Sequence, residues 1–182
     1  MFSYKVDNEI SLKLLELRDA ERVFELTNNS RAYLREWLPW LDFTTKLEDT
    51  QAYIKMSLKD YAENKSINTA ILYKGEIVGI AGFNVINWSN KSAYIGYWIG
   101  EKYQGHGIVT KVANALTVYA FNDLKLNKVE IRAAVENTKS RSVPERLGFL
   151  NEGILRQSEW LYDHYVDTVV YGKLANEWDR EG

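Results

Sequence analysis

Gln104-Gly105-His106-Gly107-Ile108-Val109-Thr110 is the stretch of this chain whose residue types and spacing point most directly to chemistry. It joins a strand-like run to a long helical pattern in which Val109, Val112, Ala113, Leu116, Ala120 and Leu124 recur on one face. Glycines at 105 and 107 let backbone N–H groups turn toward a ligand with no Cβ in the way. The first turn of the helix adds unsatisfied N–H groups and a partial positive charge, a combination that binds phosphate, and Thr110 brings a hydroxyl donor. A plain glycine turn would use the same residues, so Gly-x-Gly alone leaves both readings open. Two nucleotide motifs are excluded. A Walker loop needs Gly-Lys-Ser/Thr. A dinucleotide fingerprint needs a third glycine where Thr110 stands, in a βαβ unit near the start of the chain.

Other chemistries fall away on composition. The chain has no cysteine, which removes disulfides, thiolate zinc sites and a thiol nucleophile. His106 and His164 are its only histidines, too few for a histidine metal site, so no metal is expected. A net charge of −2 argues against a nucleic-acid partner. The longest apolar run, Ala93 to Gly100, is far short of the ~20 residues that span a bilayer, and Met1 to Asp7 does not read as a signal peptide. The expectation is a cytoplasmic protein with no membrane partner, folded as a single domain over 1–182.

The elements that must position the loop follow from periodicity. Ile10 to Leu15 reads as a strand, Asp19 as the N-cap of a helix to about Thr27, and Arg31 to Trp37 as a short helix stopped before Pro39. Thr45-Lys46-Leu47-Glu48 has the capping-box pattern and opens a helix to about Glu63. Ile67 to Tyr73, Glu76 to Asn87 and Ser92 to Ile99 form an antiparallel meander. After the loop and its helix, Lys128 to Val135 is a strand, Ser140 to Leu147 a short helix, and Phe149 to Leu161 with Tyr165 to Leu174 a closing hairpin. The fold class is α+β, a mixed sheet with a strand–loop–helix–strand unit at its middle.

The loop resembles motif A of the GNAT superfamily, Gln/Arg-x-x-Gly-x-Gly/Ala, met here as Gln104, Gly107 and Val109, with Val109 departing from the usual small residue. Asn137-Thr138-Lys139-Ser140-Arg141-Ser142-Val143-Pro144-Glu145-Arg146-Leu147-Gly148-Phe149 resembles the family's motif B, Asn-x-x-Ser…Glu-x-Leu-Gly-Phe, at the expected distance. Glu152-Gly153 to Asp163 and Asp167 is similar to the hairpin of the Rim-type (RimJ/RimL) branch, which acetylates the N-termini of ribosomal proteins. The likeness runs from Ile10 to Leu174.

The resemblance implies a mixed α/β acyl-CoA N-acyltransferase fold, with a mostly antiparallel twisted sheet splayed at one parallel strand pair and flanked by helices. It implies an N-acetyltransferase using acetyl-CoA, with coenzyme A lying between Ala93–Ile99 and Lys128–Val135. Trp98 and Ile99 would bond the pantetheine arm, and Gln104, Gly105, His106, Gly107, Ile108, Val109 and Thr110 would hold the pyrophosphate. Asn137 and Ser140 would meet the pantetheine arm and thioester, while Lys139 or Arg141 faces the adenosine phosphates. Ser140 would protonate the leaving thiolate, unless it only caps its helix, and Glu159 would act as base, unless it is an outward-facing strand carboxylate. His164 reads as an exposed turn residue and the His106 side chain as a spacer. Trp37-Leu38-Pro39-Trp40 would wall an acceptor groove, with Glu36, Asp42 and Glu48 drawing in a cationic acceptor. The implied acceptor is a protein N-terminus, against a small amine or a non-catalytic acetyl-CoA-binding module, and a homodimer is compatible with the aromatic surface.

Overall fold

The structure is a computed structural model. It describes residues 3–181, and the side chains of residues 3–178; Met1 and Phe2, part of the segment read against a signal peptide, lie outside the described residues. Eight strands form one sheet in the order β1-β2-β3-β4-β5-β6-β8-β7: β1 (Ser3–Lys5), β2 (Ile10–Leu14), β3 (Ile67–Tyr73), β4 (Glu76–Asn87), β5 (Ser92–Ile99), β6 (Lys128–Ala134), β7 (Leu150–Leu161) and β8 (His164–Leu174). Among the described residues only β5 and β6 are parallel, and α4 (Ile108–Asn122) connects them, as a parallel pair requires a crossover.

Alternation along the strands explains why helices cover both faces. Ile71, Val78 and Ala81 point into a core shared with Val112, Leu116 and Phe121 of α4. Their neighbours Ala70, Ile77 and Ile80 point the other way, onto α1 (Ala20–Asn29) and α3 (Leu47–Ala62). Residues 77–83 of β4, all apolar or glycine, are therefore buried without a break, as a strand covered on both faces demands. The short helices α2 (Arg31–Arg35) and α5 (Thr138–Arg146) sit at the ends of the strands, and α6 (Ala175–Glu181) follows β8.

Local capping differs from expectation at two places. Asp49, not Glu48, accepts from the N–H groups of Thr45 (3.0 Å) and Lys46 (3.1 Å), because it stands at the third helical position, where a side chain can reach back. Asp19 makes no side-chain cap to α1. Its carboxylate turns back to Glu16 N–H (2.9 Å) and to the Lys13 ammonium (2.6 Å), with Lys13 and Asp19 only 6% and 7% exposed. The pair ties β2 to the start of α1 beneath the sheet. β1 and α6 were not read in the sequence: three residues carry no period, and about two turns directly after a strand have no cap signal.

Removing one partner of a buried ion pair leaves the other's charge poorly compensated; without Asp19, the Lys13 ammonium keeps the longer contact to Glu16 (3.2 Å). Asp19→Ala is expected to destabilise the fold by about 3 kcal/mol, read as a shift in urea midpoint, and the double change Lys13→Met with Asp19→Ala is expected to recover most of it.

Candidate active site

β5 and β6 stay paired only over Ser92–Ile95 and Lys128–Ile131. Beyond that point Arg132–Ala134 pair with β8 alone and Gly96–Ile99 with β4 alone. The strands separate into a wedge whose inner edges have lost their ladder partners, so backbone polar groups there are available to a ligand. Two cavities meet in it. One, of about 740 Å³, runs from the 104–110 loop past Trp98 and Ile99 to the start of α5. The other, of about 670 Å³, lies between residues 37–44 and the β7–β8 hairpin. Trp37, Leu38, Tyr97, Trp98, Asn137 and Ser140 line both.

The loop has the geometry of a phosphate cradle. Gly105 (φ +80°) and Gly107 (φ +68°) are left-handed, and a Cβ at either would stand in open space with no atom within 4 Å. The conformation, not crowding, calls for glycine. Among the described residues, none of the N–H groups from Gly105 to Thr110 donates to a backbone carbonyl, so the opening of α4 presents them to the larger cavity. Gly105, Gly107, Ile108, Val109 and Thr110 all line it. His106 does not: its ring packs 5.9 Å from Tyr73, so only its backbone can serve a ligand. Gln104 bridges the Glu101 carbonyl (3.1 Å) and the Lys139 ammonium (3.2 Å), fixing the loop to α5.

Motif B is divided between capping and site. Asn137 Oδ1 accepts from Ser140 N–H at 3.2 Å, so Asn137 is the cap and Ser140 is not. The Ser140 hydroxyl instead lies 3.2 Å from the Tyr97 hydroxyl, which also donates to the Ser140 carbonyl at 3.0 Å. Burial pushes the Tyr97 phenol up to about 12, keeping it a neutral donor. Tyr97 was missed in the sequence, where it is one more aromatic in a strand. Of the two cations assigned to the adenosine phosphates, Lys139 lines the cavity and Arg141 does not. Arg141 is held by the Tyr171 hydroxyl (2.9 Å) and the Val135 carbonyl (2.9 Å). Arg146, not singled out in the sequence, lines the cavity beside Lys139.

In the second cavity Trp37, Leu38, Pro39 and Trp40 form one wall, as expected, and Trp40 packs on Trp98 at 5.9 Å. The acidic residues expected there are not in it. Asp42 is bound by Arg35 (2.9 and 3.0 Å), Glu36 faces the larger cavity, and Glu48 lines neither. Among the described residues Glu159 is the one carboxylate lining this cavity; it is exposed along β7, and partial desolvation on the cavity side raises its pKa. His164 opens β8, exposed, 2.6 Å from Asp163.

Residues 9–150 match the family described as Acetyltransferase (GNAT) domain. The chain belongs to that family. YdaF of Bacillus subtilis (strain 168) is 38% identical over 182 residues, the full length of both chains. A structure of RimL, the ribosomal L7/L12 alpha-N-protein acetyltransferase, in complex with coenzyme A superposes with a TM-score of 0.93 at 26% identity, covering 97% of this chain and 99% of that one. The microcin C7 self-immunity acetyltransferase MccE, in complex with acetyl-CoA and AMP, gives a TM-score of 0.89 at 34% identity over 93% of this chain and 94% of its own. This GNAT protein is thus an acetyl-CoA-dependent N-acetyltransferase, and the left-handed glycine cradle, the unpaired strand edge and the two cavities meeting at Ser140 fit that cosubstrate. No helix among the described residues is long and apolar enough to cross a membrane.

A carboxyl whose folded pKa is raised stabilises the fold below the ordinary carboxylate range, and that contribution is lost as pH rises through the raised value. The melting temperature of Glu159→Gln, relative to the parent, is expected to climb as the pH rises above about 4. A flat difference would mean that the carboxyl is not desolvated.

Proposed function

We propose that the acceptor is the α-amino group of a polypeptide, with a ribosomal protein as the substrate class. The observation that carries this reading is the charge of the second cavity. Its 670 Å³ hold one carboxylate, Glu159, and one guanidinium, Arg132, among tryptophans, asparagines and hydroxyls. A polyamine needs several anions; a single ammonium on a small polar residue needs one. The RimL and YdaF likenesses support the same choice.

In this reading Glu159 takes the ammonium proton, directly or through water. An α-amine of pKa ~7.8 needs only about 1 kcal/mol to lose that proton at neutral pH, whereas a lysine needs about 4.6 kcal/mol. A carboxylate with a raised pKa is thus base enough for an N-terminus and weak for a lysine. Trp37, Trp40 and Trp98 exclude water and hold the amine against the thioester carbonyl, and that alignment replaces a bimolecular encounter. An N–H of the unpaired β5 edge faces the developing oxyanion. The Ser140 hydroxyl, oriented by Tyr97, delivers a proton to the leaving sulfur. The glycine cradle, Lys139 and Arg146 hold the phosphates.

A second reading, a small amine carrying a planar ring, is favoured by the Trp40–Trp98 pair and by MccE, whose structure contains AMP. A panel separates the two. Peptides with a free N-terminal serine or alanine are expected to be acetylated, with their N-acetylated counterparts, spermidine and an aminoadenosine left unmodified. Turnover of the aminoadenosine alone would reverse the assignment. Ser140→Ala is expected to lower kcat about 100-fold with acetyl-CoA binding retained in calorimetry. Glu159→Gln is expected to lower kcat/KM by a similar factor and abolish its acidic limb, and a parent-like pH profile would remove Glu159 from the mechanism.

A further inference from the structure

The β7–β8 turn is built around a residue that does not suit it. Tyr162 has φ +61° and sits at the centre of a three-residue turn closed by Asp163 N–H to the Leu161 carbonyl at 2.7 Å. A side chain there is strained, and glycine is the residue that takes such a conformation freely. Around it Trp160, Asp163, His164 and Tyr165 are exposed, yet the Tyr162 side chain is half-buried. Its hydroxyl accepts from Leu41 N–H at 3.2 Å and donates to the Leu38 carbonyl, while the Arg35 guanidinium lies 3.8 Å over its ring. Arg35 in turn grips Asp42, which closes residues 35–42 into one unit.

These contacts join the two walls that face each other across the acceptor cavity. Leu38 belongs to the tryptophan wall, while Leu155, Ser158 and Glu159 of β7 form the other. β7 is irregular next to this anchor: its register with β8 breaks between Leu155 and Glu159, Gln157 is itself left-handed, and side chains of β8 hold the stretch, Asp167 accepting from Gln157 N–H and Thr168 from the Ser158 hydroxyl (both 2.7 Å). We infer that Tyr162 is a clasp that sets the width of the acceptor cavity, and so is a specificity-determining residue for the acceptor amine. It does not touch the reacting atoms; it acts by holding Glu159 opposite residues 37–40. The inference rests on the second cavity being the acceptor site, as proposed above.

The test uses the full chain with Tyr162→Phe, which removes the hydroxyl and keeps the ring, and Tyr162→Gly, which also relieves the turn. Amide exchange is expected to quicken at least about tenfold at Leu41 in both, as a lost hydrogen bond permits. The KM for an N-terminal serine peptide is expected to rise about tenfold, with the acetyl-CoA dissociation constant held within about twofold. A purely structural turn residue predicts the reverse for Tyr162→Gly: a stable fold and unchanged acceptor KM. Unchanged exchange at Leu41, or quickened exchange with an unchanged acceptor KM, overturns the clasp. A parent protein that acetylates none of the peptides overturns the N-terminal reading instead, and the KM comparison is then made on whichever amine it does acetylate.

Discussion

The separation of β5 from β6 after Ile95 and Ile131 is the constraint on which the site depends. A continuous ladder would fill the wedge with strand–strand hydrogen bonds and leave neither cavity. The causes lie on both sides. β6 is held on its other edge by β8 through Ala134, so it keeps its course where β5 departs. β4 carries a bulge between Phe83 and Val85, and Asn84, the extra residue, packs its side chain against Gly96, where a Cβ would lie 2.2 Å from the amide nitrogen. A bulge bends and twists its strand, and β5 follows β4 away from β6. Glycine at 96 permits that close approach.

The wedge sorts the chemistry by side. Backbone N–H groups, Lys139 and Arg146 line one cavity; indoles and a lone carboxylate line the other. Ser140 and Tyr97 stand where the two meet. Desolvation shifts two groups there: Tyr97 stays protonated as a donor to the Ser140 carbonyl, and the Glu159 carboxyl is raised above its ordinary value. Both shifts follow from one cause, desolvation within a sheet opened from inside.

Packing beneath the site uses charge sparingly. Among the described residues, the buried Lys13–Asp19 pair anchors the strand that leads into the helices walling the second cavity. Most other ion pairs lie at the surface, where they add little. Arg35 is an exception of position, since its pairing with Asp42 and its stacking on Tyr162 shape a cavity wall.

Much of the fold was readable in order along the chain. The meander, the loop and helix of 104–122 and the closing hairpin came within a residue or two, because period two and period 3.6 are local properties that burial on one or both faces imposes. The glycine cradle and the two motifs were equally local, since backbone conformation at Gly105 and Gly107 is set by residue type. What tertiary structure alone decided involves partners far apart in sequence. Tyr97 meets Ser140 across 43 positions, and Tyr162 meets Leu38 across 124. Arg141 turned inward because Tyr171 and Val135 offered it acceptors, and Asp42 lies outside the second cavity because Arg35 claimed it. No spacing along the chain encodes such contacts: they arise when separate elements are packed, and packing selects which of several equally plausible polar residues faces a ligand and which is consumed in holding the walls.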